Sequence, residues 1–353
     1  LLKDMDKAAS RLQKAVLDKE RVLVYGDFDV DGIVSATLVR DFLRTVGIEC
    51  DAYIPDRLTE GYGVNDSAVI ECAESGYSLM VTVDCGVRAV KAVRTAVENG
   101  MEVIVTDHHE PCEEMPPAVA VVDPMREDCE YPYKRLAGVG VAYKLVWALA
   151  RKLSGSIKLP DKFRDFLLDY LPIVALGTIC DVVPLLGENR VLVTYGLSRM
   201  CSSKNPGLRS LLESSGVLMR VMRSRREVNV RDIAYTVGPR INAAGRLGRA
   251  GEALKLFSTQ DLNNAAEIAR SLGDMNKERQ SVEAEILEKA RDMVEAMDEL
   301  PPVIMLADEN WHTGVLGIVA SRLVNKYYRP TFLGKVEDGI VRGSARSIKG
   351  FDV

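Results

Sequence analysis

The chain has 353 residues, room for two or three domains at about 150 residues each. Its 47% hydrophobic and 27% charged residues are an ordinary globular balance and exclude wholesale disorder. The net charge of −5 gives no general attraction for polyanions, and the longest apolar runs, such as Val22–Tyr25 and Val103–Val105, fall far short of the roughly 20 residues of a membrane helix.

The first half alternates strand and helix patterns. Strands are predicted at Arg21–Gly26, Glu49–Ile54, Leu79–Val83, Met101–Thr106 and Ala118–Val122. Helices are predicted at Ile33–Val46, near Asn65–Ser75 and at Val87–Asn99. That alternation predicts an α/β fold: a mostly parallel sheet with helices on both faces. After Pro132 the pattern turns helical, at Gly138–Leu153, Lys162–Leu176, Arg190–Met200 and Gly207–Ser214. The longest periodic stretch is Asp261–Met297, where Ile268, Leu272, Met275, Val282, Ile286, Met293 and Met297 recur at helical steps. A helix longer than about 25 residues is unusual inside one domain, so a connector helix is expected. Pro301-Pro302 ends it. A new β/α unit follows: strand Val303–Ala307, helix Gly314–Tyr327, and strands near Thr331–Gly334 and Val341–Ala345. About 50 residues are few for an independent core, so this unit is expected to be partial. The expected division is 1–258, a connector at 259–299, and 300–353.

The seven cysteines are odd in number, scattered, and never spaced as CxxC. This speaks against a disulfide framework and a structural zinc site, and for a reducing cytoplasmic setting. The chain opens Leu1-Leu2 without a methionine, and no signal-peptide pattern follows.

Acids gather at predicted strand ends. In Val22-Leu-Val-Tyr-Gly-Asp27-Phe-Asp29-Val-Asp31-Gly32, three carboxylates share one face if the chain stays extended. Such a trio takes up protons or cations. An Asp-rich turn is the bland alternative. An EF-hand is not, because Leu38 stands where its twelfth ligand belongs and a strand precedes. Asp84 follows the strand Leu79–Val83, and Asp107-His108-His109 follows Met101–Thr106. Open parallel sheets bind ligands outside the carboxyl ends of their strands, so these residues converge on one candidate site. Asp84 alone reads equally as a helix N-cap, and the histidines alone as a buried structural pair. Asp181 ends an apolar helical run, where a local cap or salt bridge is the plain alternative. Many oxygens with one or two imidazole nitrogens suit two Mn²⁺ or Mg²⁺ ions. A pair of such ions, roughly 3.5–4 Å apart, activates water and stabilises an in-line displacement at phosphorus. Phosphoester hydrolysis is the expected reaction class.

These residues resemble the motifs of the DHH phosphoesterases, in order: Asp27-Phe-Asp29-Val-Asp31-Gly32, Asp84, Asp107-His108-His109 and Gly177-Thr-Ile-Cys-Asp181. Three further stretches resemble the RecJ branch of that family, single-strand-specific 5′→3′ exonucleases. They are Gly238-Pro-Arg240-Ile-Asn242-Ala-Ala-Gly-Arg246-Leu, Trp311-His312-Thr-Gly314-Val-Leu-Gly317, and Gly343-Ser344-Ala-Arg346-Ser347. The resemblance implies that 1–258 is the DHH catalytic domain and 300–353 part of a DHHA1-like substrate-binding domain. It implies Asp27, Asp29, Asp31, Asp84, His108 and Asp181 as ligands of two divalent cations, with Asp84 bridging. Asp107 would orient a histidine, and His109 would face the scissile phosphate. Hydrolysis would release 5′-mononucleotides from single-stranded DNA, in repair or recombination. A single-strand-binding protein and a helicase are implied as partners of a monomer. The family's later glycine-rich GGH stretch and OB-fold domain are not in this sequence.

The substrate side has its own signal. Eight arginines between 220 and 249 face only Glu227 and Asp232. They can neutralise phosphates or simply cover a helix surface; Arg240 and Arg246 lie with Asn242, a further substrate candidate, in a Gly/Ala-rich stretch. His312 stands at a predicted helix start, fit to receive a phosphate or to cap the helix. Ser344 and Arg346 are candidates for a terminal phosphate. Of the aromatics near motifs, Tyr25, Phe28, Tyr62 and Trp311 read as core rather than base-stacking platforms. Two other functions stay open. One is a sibling enzyme for short oligonucleotides, cyclic dinucleotides or pyrophosphate; the other is a non-catalytic DNA-binding or replication-scaffold relative.

Overall fold

The computed structural model describes residues 1–61 and 63–353; Tyr62 lies outside the described residues. In the larger lobe the elements run α1 (Met5–Asp18), β1 (Val22–Gly26), α2 (Val30–Thr45), β2 (Cys50–Tyr53), α3 (Asp66–Glu74), β3 (Leu79–Val83), α4 (Val90–Glu98), β4 (Glu102–Thr106) and β5 (Ala120–Val122). All four strand pairs are parallel, in the order β2-β1-β3-β4-β5. β1 and β3 are buried along their whole length, which is why their sequences are nearly all apolar. Alternate residues serve opposite faces. Val22 and Val24 join the core under α2, while Leu23 and Tyr25 join the core under α3 and α4.

The helical part follows as α5 (Gly138–Ser154), α6 (Asp161–Cys180), α7 (Gly187–Arg199), α8 (Pro206–Ser214), α9 (Val217–Ser224) and a single turn, α10 (Val230–Asp232). A π-helical turn (Ile233–Val237) leads into α11 (Gly238–Arg246) and α12 (Ala250–Ser258). α6 extends one turn beyond its predicted end and carries Pro172 inside it. The arginine-rich stretch, read from sequence without any element, is helical through most of its length.

The long helix is real: α13 covers Leu262–Glu295, about 50 Å at 1.5 Å per residue. Its first half buries Ile268, Leu272 and Met275 in the large core. Its second half buries Ile286, Leu287, Ala290 and Val294 in a separate core with Trp311, Val315 and Leu333. Between them Glu283, 2% exposed, pairs with Arg279 one turn back and with Arg322 of the smaller lobe. That lobe contains β6 (Ile304–Asp308), α14 (Thr313–Tyr327), β7 (Thr331–Glu337) and β8 (Ile340–Arg346). β6 and β7 are parallel, and β8 returns antiparallel.

One expectation is overturned. Asp27, Asp29 and Asp31 do not line one face of an extended strand. β1 stops at Gly26, and α2 starts at Val30. Asp29 is the N-cap of α2, its Oδ1 accepting from the Gly32 backbone N–H at 3.1 Å, and Asp31 lies in the first helical turn. Asp29 gains more by satisfying a free helix N–H than by continuing the strand.

Candidate functional site

The strand order reverses direction between β1 and β3, which opens a crevice at their carboxyl ends. Asp27 leaves β1 there, Asp84 leaves β3, and Asp107 leaves β4. Asp181 arrives from outside the sheet as the C-cap of α6. Asp84 holds a left-handed backbone (φ 60°), a conformation costing an L-residue roughly 1–2 kcal/mol, so its placement is enforced by its surroundings. The start of α5 presses on it. A Cβ at Gly138 would stand 2.3 Å from Asp84 Oδ1, so only glycine permits this approach. Gly177 does the same for Asp31, whose Oδ1 also accepts from the Val139 N–H at 3.1 Å.

The acids and one histidine meet in two groups. Asp27, Asp29 and Asp84 each offer a ligand atom within 4.8 Å of the others, and so do Asp31, His108 and Asp181. A third set, Asp84, His108 and His109, takes one residue from each and so links them. His108 Nε2 lies 3.0 Å from Asp84 Oδ1 and 3.6 Å from Asp181 Oδ2. Yet these three atoms, with Asp27 Oδ1 and Asp31 Oδ2, are buried with no partner in hydrogen-bond alignment among the described residues. Buried polar atoms are almost always satisfied, so five such atoms converging on one point fit a cation-binding cradle.

The electrostatics agree. Burial, then the neighbouring Asp29, pushes Asp27 up to about 7. Burial, with Asp84 and Asp181 close by, drives Asp31 well above the usual carboxylate range. Burial drives Asp84 the same way, with Asp29 and Asp181 adding to it. Burial opposes charge on His108, but Asp181 and Asp31 outweigh it and hold the ring above its ordinary value. Protons therefore neutralise this cluster where cations do not, and the two compete for the same atoms.

Asp107 behaves differently. It is 1% exposed, but the His109 hydrogen bond and backbone N–H groups from Val87 and His108 outweigh the burial and hold it below the usual range. His109 Nδ1 meets Asp107 Oδ1 at 2.7 Å, and this bond raises the His109 basicity. An acceptor on that side puts the proton on Nδ1 and turns Nε2 away from Asp107.

The expected substrate residues divide. Arg246 reaches Gly314 O of the small lobe at 3.4 Å, and burial, with Arg57 and Arg279 nearby, brings its guanidinium down to about 10. Ser344 and Arg346 lie together over Gly317 of α14. Asn242 uses its Oδ1 to accept from Val30 N–H, which fixes the start of α2 beside Asp29. His312 is the N-cap of α14, its Nδ1 accepting from the Gly314 N–H. Arg240 packs against Gly273 of α13, with Asp274 and Arg220 in its electrostatic surroundings. Tyr25 and Trp311 are core residues.

Two residues of the region went unread in the sequence. Arg57, in the loop after β2, lies over the Phe28 ring at 5.0 Å and interacts with both Asp27 and Arg346. Nothing in the local pattern marks it. Asp123 follows β5, is fully buried, and is pushed up to about 7 by burial and by Asp107. The strand-end rule that marked Asp84 and Asp107 marks Asp123 as well. Arg57, Arg246 and Arg346 thus form a cationic wall beside the acids, drawn from both lobes.

Residues 21–178 match the DHH family, N-terminal domain, and residues 300–353 the DHHA1 domain. The single-stranded-DNA-specific exonuclease RecJ of Bacillus subtilis is 40% identical over 354 residues, all of this chain and 43% of that protein. The RecJ of Thermus thermophilus is 38% identical over 344 residues, 98% of this chain and 48% of that one. The chain thus spans about half the length of these curated relatives. A crystal structure of exonuclease RecJ bound to manganese superposes with a TM-score of 0.83 at 37% identity, covering 96% of this chain and 83% of that one. The Thermus thermophilus RecJ in complex with Mn²⁺ superposes at 0.80, with 36% identity, covering 95% of this chain and 46% of that one. With the DHH and DHHA1 models matched in order and 36–40% identity to these RecJ proteins across nearly its whole length, the chain belongs to the RecJ branch of the DHH family.

Proposed function

We propose that this chain is a metal-dependent phosphodiesterase that hydrolyses single-stranded DNA from the 5′ end and releases 5′-mononucleotides. The observation that carries this reading is the pair of ligand groups, Asp27/Asp29/Asp84 and Asp31/His108/Asp181, which meet where Asp84 lies 3.0 Å from His108. Two divalent cations, Mn²⁺ or Mg²⁺, would be held there and would activate water and bind the phosphoryl oxygens. The manganese-bound relatives support that choice of ion.

The chain's own residues have defined work. Asp84 and Gly138 hold the two groups at fixed separation. Asp107 holds a proton on His109 Nδ1 and raises the basicity of the ring, so that its Nε2 faces away from Asp107 and, when the ring takes up a second proton, can donate to a non-bridging phosphate oxygen. Arg57, Arg246 and Arg346 receive the flanking or terminal phosphate, with Ser344 as a further donor. His312 holds the helix start, and through Gly314 the small lobe, against Arg246. Arg240 and Asn242 act behind this surface by packing and by fixing α2. The domain division that goes with this reading is 1–258, 259–299 and 300–353, with α13 making up most of the middle part. A place in repair or recombination, and in the cytoplasm beside a single-strand-binding protein and a helicase, goes with this reading. No described helix is long and apolar enough to cross a membrane.

Digestion of end-labelled strands with Mn²⁺ tests the proposal. Loss of a 5′ label as mononucleotide before any loss of a 3′ label supports it. Preference for dinucleotides over long strands points to the sibling enzyme. Absence of any hydrolysis with Mn²⁺ points to the scaffold.

A further inference from the structure

A second accumulation of unbalanced charge lies on α9, α10 and the π-helical turn. α9 buries Val217 and Val221 and turns Arg220, Arg223, Met219 (56% exposed) and Met222 (69%) outward. Arg225 caps it, Arg231 stands on α10, and Tyr235 projects from the middle of the π turn with 78% of its surface exposed. Arg226 is bound by Asp232 through both terminal nitrogens, at 2.6 and 2.9 Å. Arg220, Arg223, Arg225 and Arg231 have no ion pair among the described residues, and Arg220 lies within electrostatic range of Asp232 and Arg240.

A solvated charged face would need no exposed ring. Single exposed apolar residues are ordinary, but an exposed tyrosine and two exposed methionines on the same three consecutive elements as four arginines without ion pairs, with the end of α9 tied to α10 by Arg226–Asp232, mark an interaction surface. The partner must be anionic, because Arg223, Arg225 and Arg231 have no ion pair among the described residues and Arg220 shares Asp232 with Arg226. It must offer flat apolar faces, because Tyr235 has a ring to cover. Unpaired bases on a phosphate backbone meet both conditions, and base–aromatic stacking tolerates any sequence. The π turn also abuts the candidate site. Gly238, next after it, packs so closely on Cys180 that a Cβ would stand 2.4 Å from its Sγ, and Cys180 precedes Asp181. π turns recur beside functional sites.

We propose that this surface is the track for the part of the single strand that is not being hydrolysed, with Tyr235 as its stacking platform and Arg220, Arg223, Arg225 and Arg231 on its phosphates. The inference rests on the exonuclease reading above. Its test compares KM and kcat, with Mn²⁺, for a strand of about 20 nucleotides, an abasic strand of the same length and a trinucleotide. Tyr235→Ala is expected to raise KM about fivefold or more for the long strand only, with kcat unchanged, and Tyr235→Phe to restore it. Removing Arg223 and Arg231 together is expected to flatten the salt dependence of long-strand binding by about 0.7 per arginine. An unchanged KM in Tyr235→Ala, an equal rise on abasic or trinucleotide substrate, or failure of Tyr235→Phe to restore it overturns the track. If the unaltered protein hydrolyses none of the three substrates, the exonuclease reading fails first; if it hydrolyses them and the variants match it, only the track fails.

Discussion

Asn in place of Asp27 is expected to stabilise the cation-free protein, and to do so only at neutral and alkaline pH. Asp27 is 4% exposed, and burial together with Asp29 moves its carboxyl from an ordinary 3.8 to about 7. The folded chain therefore holds a proton there that the unfolded chain has already lost. Between those two values the native state binds more protons than the unfolded state, so stability falls as pH rises. Above about pH 7 the carboxylate is charged in both states, and its charge costs the fold about 4 kcal/mol, an upper bound because its acidic neighbours share it. Asp27→Asn removes the charge and keeps the shape. Thermal unfolding in chelator should show the variant and the parent alike near pH 4, with the variant melting several degrees higher near pH 8. Mn²⁺ should lift the parent near pH 8 more than the variant, because the cation supplies the missing counter-charge. A variant that melts at or below the parent near pH 8 without cations would refute the reasoning, since Asp27 would then be stabilised by contacts rather than strained by repulsion.

Three further outcomes follow from the geometry. Asp84→Ala and His108→Ala are each expected to abolish Mn²⁺-dependent hydrolysis without a large loss of cation-free stability; a large loss would mark these residues as structural. Gly138→Ala drives a methyl to 2.3 Å from Asp84 Oδ1, so it should cost about 1–3 kcal/mol and weaken Mn²⁺ binding measured by calorimetry. Gly314→Ala places a Cβ 2.0 Å from Arg246 O, and should raise KM for single strands by parting the cationic wall while Mn²⁺ affinity stays the same.

The strand ends were legible because parallel strands buried on both faces write themselves as apolar runs, and the first polar residue after each run sits at the crevice. Asp84 and Asp107 were found that way, and Asp123 follows the same rule. The route to Asp27, Asp29 and Asp31 was wrong although the residues do converge, because a helix cap overrode strand alternation at Asp29. The role of Asn242 was illegible for a different reason: its hydrogen-bond partner, the Val30 N–H, depends on a helix end whose exact start no periodicity fixes. His312, at a predicted helix start, was legible as a cap of α14. α1 was overlooked although Met5, Ala8, Leu12 and Ala15 recur at helical steps and are buried. Arg57 shows the limit, since only the tertiary approach of the β2 loop to Asp27 and Arg346 gives it meaning.

Anomalous diffraction from crystals grown with Mn²⁺ addresses the central claim most directly. Two peaks are predicted, one ringed by Asp27, Asp29 and Asp84 and the other by Asp31, His108 and Asp181, with Asp84 touching both. Manganese bound elsewhere, or a centre that remains without it while His108 stays against Asp84, would contradict the account.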